Sequence, residues 1–263
     1  MPIDDALADL GQAVFIPTAR IENLQDYIIL PAKDHGSYFY PDLLVAQHRL
    51  QYDQDVARLA NVLHLKDMEM SQENNGVTFI SNINWEQALK LNLELGNITL
   101  NPRQFIDFLI LLKEFLDKKK NVYNGLGKIV DDAKILQIYD ELIGQRSPYR
   151  AEFLDAEFKK IDGKLHVNYN HKNVNGNLIP QRSEFLETCL LEDNYFNLYT
   201  FNLYGLPVDQ YSNGIYCNYP RENLNSVARF RYGGTIYDKL NLDYLVHHSS
   251  TWPGLGIRAA KYR

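Results

Sequence analysis

Two short stretches near the C-terminus carry the most specific pattern in this sequence. The first is Asn225-Ser226-Val227-Ala228-Arg229-Phe230; after 24 intervening residues comes the second, Leu255-Gly256-Ile257-Arg258-Ala259-Ala260-Lys261. Short apolar pieces separated by turn residues indicate strands. A third piece of this kind, Leu240–Val246, lies between them. We therefore expect the C-terminal part to consist of short strands joined by long loops.

The overall composition is that of an ordinary globular chain. Its 263 residues are 45% apolar and 23% charged, with 15 Gly, 10 Pro and a net charge of -6. These values exclude collagen-like and low-complexity chains. An acidic chain lacks the basic surface that binds nucleic acid, so we expect no nucleic-acid partner. No apolar run approaches the roughly 20 residues that span a bilayer, and the acidic start is unlike a signal peptide, so we expect no membrane insertion.

Tyrosine is unusually frequent and unevenly placed. Of the 18 tyrosines, ten lie at or after position 195. A segment rich in Tyr and poor in Lys is typical of antibody-like binding surfaces more than of catalytic clefts.

The N-terminal half is predicted to be mostly helical, after an extended and irregular segment over residues 1–40 that contains the strand candidate 27–31. Apolar spacing and capping residues predict four helices. They cover residues 41–65, 84–96 with Asn84 as N-cap, 101–120 with Asn101 as N-cap and Pro102 at the first helical position, and 128–143. We interpret Lys118-Lys119-Lys120 as a solvated helix end rather than a phosphate site. After position 145 the helical period fades, and Asp162-Gly163 and Asn175-Gly176 predict turns.

The histidines do not suggest a metal site. His247 and His248 are adjacent, so on a strand their side chains would point to opposite faces. No spacing of His with Cys or carboxylates matches a known metal motif. We therefore predict neither a metal nor another cofactor.

Two further groups leave alternatives open. Glu152, Asp155 and Glu157 could form a carboxylate pair for hydrolysis, but they alternate with apolar residues, which favours an ordinary amphipathic segment. Cys189 and Cys217 are 28 positions apart and lack CxxC or metal spacing. We interpret them as buried thiols rather than a disulfide.

The two C-terminal stretches resemble the ends of C-type-lectin-fold proteins of the formylglycine-generating-enzyme type, and most of all the variable proteins of diversity-generating retroelements, those of archaeal viruses included. Earlier segments of the same style are Trp85–Leu89, Glu152–Ala156 and Asn168–His171. The resemblance implies an α+β fold with small antiparallel sheets, two or more helices and long loops. It places that domain at residues 76–263, with a variable region at about 226–258, after an N-terminal extension, 1–75, with one long helix.

The resemblance also implies a way in which the gene changes. Such a retroelement substitutes at template adenines, so AAC and AAT codons reach fifteen amino acids but never Glu, Lys, Gln, Met or Trp. These five make up 45 of 263 residues, about 17%, which predicts about six in residues 223–258. That window holds only Lys239 and Trp252. The depletion agrees with adenine mutagenesis, and it suggests that these two residues have another origin.

The same window supplies the predicted binding surface. Alternation along Leu240–Tyr244 places Leu240 and Leu242 in the core and turns Asn241 and Asp243 outward. Tyr supplies rigid contact area, and Asp, Asn and His supply adaptable hydrogen bonds. The predicted ligand-binding residues are Arg231, Tyr232, Ile236, Tyr237, Asp238, Asn241, Asp243, Tyr244, His247, His248 and Trp252.

The resemblance favours a non-enzymatic receptor-binding protein, displayed on a virion or on the cell exterior, with a protein or cell-surface partner. The sugar-binding motifs of calcium-dependent lectins and the closely spaced cysteine pair of the formylglycine-generating enzymes are missing from the sequence. Alternatives are an oxidase of that enzyme type, a hydrolase that uses Glu152 and Asp155, or a structural virion protein whose N-terminal helices mediate assembly.

Overall fold

The computed structural model describes residues 23–73, 75–143, 150–186, 194–197, 199–209, 215–218, 226–232 and 240–263. Over these residues the protein is α+β, as predicted, and strands outnumber helices. The helices are α1 (Gln54–Val62), α2 (Trp85–Glu94), α3 (Pro102–Leu116) and α4 (Asp132–Ile143). The strands are β1 (Tyr27–Leu30), β2 (Lys33–Asp34), β3 (Phe39–Tyr40), β4 (Leu43–Arg49), β5 (Glu69–Gln72), β6 (Thr78–Ser81), β7 (Ala151–Ile161), β8 (Lys164–Val174), β9 (Asn177–Phe185), β10 (Asn194–Phe196), β11 (Ile215–Asn218), β12 (Ser226–Tyr232), β13 (Leu240–His247) and β14 (Leu255–Tyr262).

One ten-stranded sheet organises the molecule. Its main path is β1-β4-β14-β7-β12-β13-β11-β10, and β8 and β9 branch from β7. Two neighbour pairs, β14 with β7 and β11 with β13, are parallel, and the others are antiparallel. The closing strand β14 thus lies inside the sheet, between strands formed by the N-terminal and the middle parts of the chain.

Both faces of the central strands are buried. On one face Phe158, Phe230 and Tyr244 pack with the apolar side of α3 and α4. On the other face Phe153 and Val227 pack with α1 and α2. A sheet covered on both sides buries successive residues of its inner strands alternately against the two layers.

The predicted starts of two helices are confirmed. The Asn84 side chain accepts a hydrogen bond from the Gln87 amide, and the Gln87 side chain accepts one from the Asn84 amide. Asn101 and Gln104 form the same reciprocal pair at α3, with Pro102 in its first turn. Each arrangement satisfies backbone donors that a helix start leaves without partners.

The predicted hairpin turns are also confirmed. Asp162 and Gly163 have φ of 50° and 79°, and Asn175 and Gly176 have φ of 51° and 80°. Left-handed conformations at both central residues define the type I′ turn, which suits two-residue hairpins. These turns join β7 to β8 and β8 to β9.

One predicted helix is largely wrong. Residues 41–65 were expected to be helical from the start, but Leu43–Arg49 forms β4, and α1 begins only at Gln54 after the N-cap Asp53. Pairing with β1 and β14 outweighs local helical spacing here. Two strands of the predicted extension therefore belong to the main sheet, while residues 1–22 lie outside the described chain.

Candidate functional site

The turn between β13 and β14 presents the most exposed part of the C-terminal strands. His247 ends β13, His248 begins the turn, and both side chains are exposed. Trp252, before the start of β14, is 37% exposed. Backbone hydrogen bonds from Ser250 to His247 and from Leu255 to Trp252 hold the turn. It is the described part of the predicted variable region that solvent reaches most freely.

The side chains of His247 and His248 were predicted to point to opposite faces of a strand, but in the structure their rings stack on each other. Their ring centroids are 4.4 Å apart and the rings are inclined by 29°. The strand ends at His247, so the alternation that would send His248 to the opposite face no longer applies. The Ser249 hydroxyl lies 2.7 Å from His247 Nδ1 and fixes the first ring. The stacked pair offers one flat surface with hydrogen-bonding edges.

Beneath this turn, an ion pair joins β12 to β13. Arg229 Nε and Nη2 both donate to Asp243 Oδ2, at 3.1 and 2.8 Å. The two residues are direct cross-strand partners and each is 5% exposed. The Trp252 ring covers the guanidinium, with its centroid 4.2 Å from Arg229 Cζ. The exposed indole therefore rests on a buried charged pair.

The predicted outward orientation of Asp243 is wrong. Because both faces of β13 are covered, the side opposite Leu242 is interior too, and Asp243 is buried there against Arg229. Tyr244, predicted to face a ligand, is fully buried on the α3 and α4 side, and its hydroxyl donates to the Gly205 carbonyl at 2.8 Å. Leu242 is buried as predicted.

The remaining predicted residues divide into two groups. The backbones of Arg231 and Tyr232 lie on β12 and that of Asn241 on β13, whereas their side chains lie outside the description. Ile236, Tyr237 and Asp238 lie wholly outside the described residues. Of the eleven candidates, the structure brings His247, His248 and Trp252 to one exposed turn.

The carboxylate of Glu152 is part of a buried ion network. It takes two hydrogen bonds from Arg258, with Nη2 to Oε1 at 2.5 Å and Nε to Oε2 at 3.0 Å. Arg49 lies 3.3 Å away through Nε and donates to Glu141 at 2.8 Å. Among the described residues, the ion pairs around Glu152 link Arg49, Arg150, Arg258, Glu73, Glu141 and Glu152, and His48 binds Glu73. Glu152 is 1% exposed and already bound, so it is not placed to act on a substrate.

Charge pairing within this network shifts the pKa values of Glu73 and Arg258. Burial alone would raise the pKa of Glu73, but a hydrogen bond with His48 and the positive charges of Arg258 and Arg49 lower it to about 2. Burial would lower the pKa of the Arg258 guanidinium, but Glu152 raises it. Both groups therefore remain charged in the folded protein.

Asp155 is occupied in a similar way. Its carboxylate lies 2.5 Å from His171 Nδ1 and accepts the His171 backbone amide at 2.9 Å. The Trp85 ring packs edge-on against His171 at 5.2 Å, and its Nε1 donates to the Leu154 carbonyl at 2.9 Å. Glu152 and Asp155 thus have separate partners. They lie on β7, a strand, where three positions of separation put them on opposite faces.

A further polar centre was missed from the sequence. Asp107 on α3 accepts from Lys33, Tyr40 and Arg103 at 2.6 to 2.8 Å, and His35 Nε2 lies 2.7 Å from it. Burial would raise the pKa of Asp107, but the charge of Arg103 and the hydrogen bonds lower it. The only sequence signal was a charged residue on the apolar side of a helix. The centre fastens the β2–β3 hairpin to α3.

The remaining candidates from the sequence are the two cysteines and the lysine triplet at the end of α3. Cys217 is buried, as predicted, and Cys189 lies outside the described residues. Lys118, Lys119 and Lys120 line a shallow depression of about 250 Å³, but acidic neighbours pair with each. Within the described ranges, no three His, Cys, Asp or Glu side chains gather as a metal site, and no helix has the length and apolar character to cross a membrane.

No family model, curated protein or solved structure matches this chain.

Proposed function

We propose that this chain is a non-enzymatic receptor-binding protein with a C-type lectin fold, diversified by a retroelement in residues of about 226–258. In this proposal the protein is displayed on a virion or cell surface. The β13–β14 turn is part of its contact surface, and the partner is a protein or another cell-surface molecule.

The contacts among the resembling segments support the fold assignment. Arg258 of the closing strand binds Glu152, and Trp85 of α2 binds the Leu154 carbonyl beside it. His171 packs against the same Trp85 ring. Segments far apart in sequence thus meet around β7, which gives each of them a structural reason to keep its residue types.

The distribution of exposure supports the binding role and carries the proposal. Within 226–258, Arg229 and Arg258 are buried ion-pair residues, whereas His247 and His248 are exposed on a turn. A rigid sheet that positions a changeable turn lets binding residues vary without loss of the core.

The contacts of Trp252 agree with the prediction that this residue does not arise by adenine mutagenesis. Adenine mutagenesis of AAC or AAT cannot produce tryptophan, so this residue needs a reason to be fixed. Its contact with the Arg229 guanidinium supplies one. Tyr244, which such mutagenesis can produce, is a core residue here and drops out of the proposed contact surface.

The enzyme alternative is weaker on geometric grounds. A hydrolase needs its carboxylates to face a substrate, whereas Glu152 is 1% and Asp155 4% exposed. Each also has a cationic or imidazole partner within hydrogen-bond distance.

Sequencing of the genomic locus and of a natural population tests the proposal. We expect a near-copy of the 3′ coding sequence beside a reverse-transcriptase gene, with differences confined to adenines of the copy. Population variants should change His247 and His248 and keep Arg229 and Arg258. Differences at all four bases, or equal variation at buried and exposed positions, would reject the proposal.

A further inference from the structure

The guanidinium of Arg229 is only partly used. Arginine carries five N–H donors in a planar fork. Nε and Nη2 bind Asp243 Oδ2. The third nitrogen, Nη1, is buried, and no described residue accepts a hydrogen bond from it. The side chain is 6% exposed, so solvent scarcely reaches it.

This unused donor lies in a rigid setting. Arg229 is on β12, which is paired on one side with β7 and on the other with β13. Asp243 holds the opposite edge of the guanidinium, so the side chain cannot easily turn to find an acceptor. A buried donor without an acceptor is costly, and such groups in native proteins call for an explanation.

Trp252 packs against the same guanidinium. Its ring lies over the guanidinium, and it is the part of the stack that solvent reaches. A hydrogen bond from a charged donor is comparatively strong, and the cation–π contact with the indole leaves Nη1 without an acceptor among the described residues. A partner that supplies an acceptor satisfies the one guanidinium nitrogen that no described residue binds.

We infer that Arg229 and Trp252 form a recognition site for a carbonyl oxygen of a polypeptide partner. The indole shifts off the guanidinium, Arg229 Nη1 donates to the partner carbonyl, and the displaced ring packs on the partner. This inference rests on the proposed binding function and names the chemistry of its ligand.

Charge decides between a carbonyl and a carboxylate. Asp243 already neutralises Arg229, so a second carboxylate would leave a net negative charge in a nearly buried site. The turn residues 247–253 contain no Lys or Arg that could compensate. A neutral amide oxygen satisfies the donor without adding charge.

The test uses phage-displayed random linear peptides, selected on the full chain and then measured by titration. We expect Arg229→Lys to weaken the selected peptides by about ten-fold to a hundred-fold, because lysine keeps the charge near Asp243 but lacks the second donor fork. Arg58→Lys, at an exposed ion pair on α1, is the matched control and should leave affinity unchanged. Urea unfolding checks that each variant is folded.

Two measurements that do not use Arg229→Lys keep the test decisive if that variant does not fold. Binding should change the tryptophan emission, and Trp252→Phe should abolish that change, because the other tryptophan, Trp85, is buried. Affinity should vary little with salt if the ligand oxygen is neutral. Unchanged emission, or affinity that falls steeply with salt, overturns the inference.

The selection also separates this inference from the proposed function. Peptides that need His247 or His248 but bind Arg229→Lys normally would overturn the site and keep the binding role. Failure to select any peptide that depends on the turn would count against both, whereas the sequencing of the locus tests the retroelement origin on its own.

Discussion

The buried pair of Glu152 and Arg258 gives the sharpest test of what holds the sheet together. Glu152→Gln keeps the shape of the side chain and removes its charge. The substitution removes the negative charge that pairs with Arg258, and Arg258 is only 2% exposed. Loss of one partner from a buried pair costs about 3–5 kcal/mol.

The expected loss is large against the roughly 5–15 kcal/mol that a domain has in total. Arg258→Met should cost a similar amount, since it leaves Glu152 and the Ala46 carbonyl without this donor. The double variant should be more stable than the sum of the two losses predicts, by about 2 kcal/mol, because direct contacts are not additive.

Urea unfolding followed by circular dichroism measures these free energies. The matched control is Glu86→Gln, which removes a carboxylate from an ion pair of 2.6 Å with Lys90 on the surface of α2. An exposed pair contributes at most about 1 kcal/mol. Equal losses for the two Gln variants, or additive losses for Glu152 and Arg258, would refute the reasoning.

Three further predictions concern the packing and charge of the fold. A Cβ at Gly205 would lie 2.4 Å from the nearest backbone atom of α3, whereas one at Gly176 meets nothing within 4 Å. Both have φ near 80°, so urea unfolding should show Gly176→Ala costing about 1 kcal/mol for the backbone strain and Gly205→Ala at least about 2 kcal/mol more; equal costs would refute the close approach. The pKa of Glu73 falls from an ordinary 4.5 to about 2 on folding, so its stabilisation is complete above about pH 4.5 and is lost as the pH falls towards 2. Urea midpoints across this range should fall less steeply in Glu73→Gln, and parallel curves would contradict the pairing. Tyr244→Phe should lower the unfolding free energy by about 1 kcal/mol through the lost hydrogen bond and leave ligand binding unchanged; weaker binding in a folded variant would return Tyr244 to the contact surface.

Features that depend on local chemistry could be predicted from the sequence. Asn84 and Asn101 predict the starts of α2 and α3 because each side chain caps a backbone amide only three residues further along the chain. Asp162-Gly163 and Asn175-Gly176 predict their turns because these residues adopt left-handed backbone conformations easily.

Features that depend on distant partners could not. Leu43–Arg49 has apolar spacing that suits a helix as well as a strand, and only β1 and β14 decide between them. Asp243 alternates with Leu242 as a residue of a half-exposed strand would, and only its distant partners Arg229 and Trp252 show why it is buried. For Tyr244 the same alternation predicts an inward side chain beside Leu242, and the buried ring agrees with the alternation rather than with the suitability of tyrosine for binding.

The place of β14 has a consequence for how the protein is made. Arg258 of β14 donates to the carbonyl of Ala46 on β4, 212 positions earlier in the sequence. During synthesis, β4 can therefore pair with β14 only after almost the whole chain has been made. Until then β4 and β7 both present an open strand edge, which favours chaperone binding and aggregation. A frameshift anywhere in β12 or β13 abolishes β14 and leaves those edges open permanently. We therefore expect a stable product only when the reading frame through the preceding strands is intact.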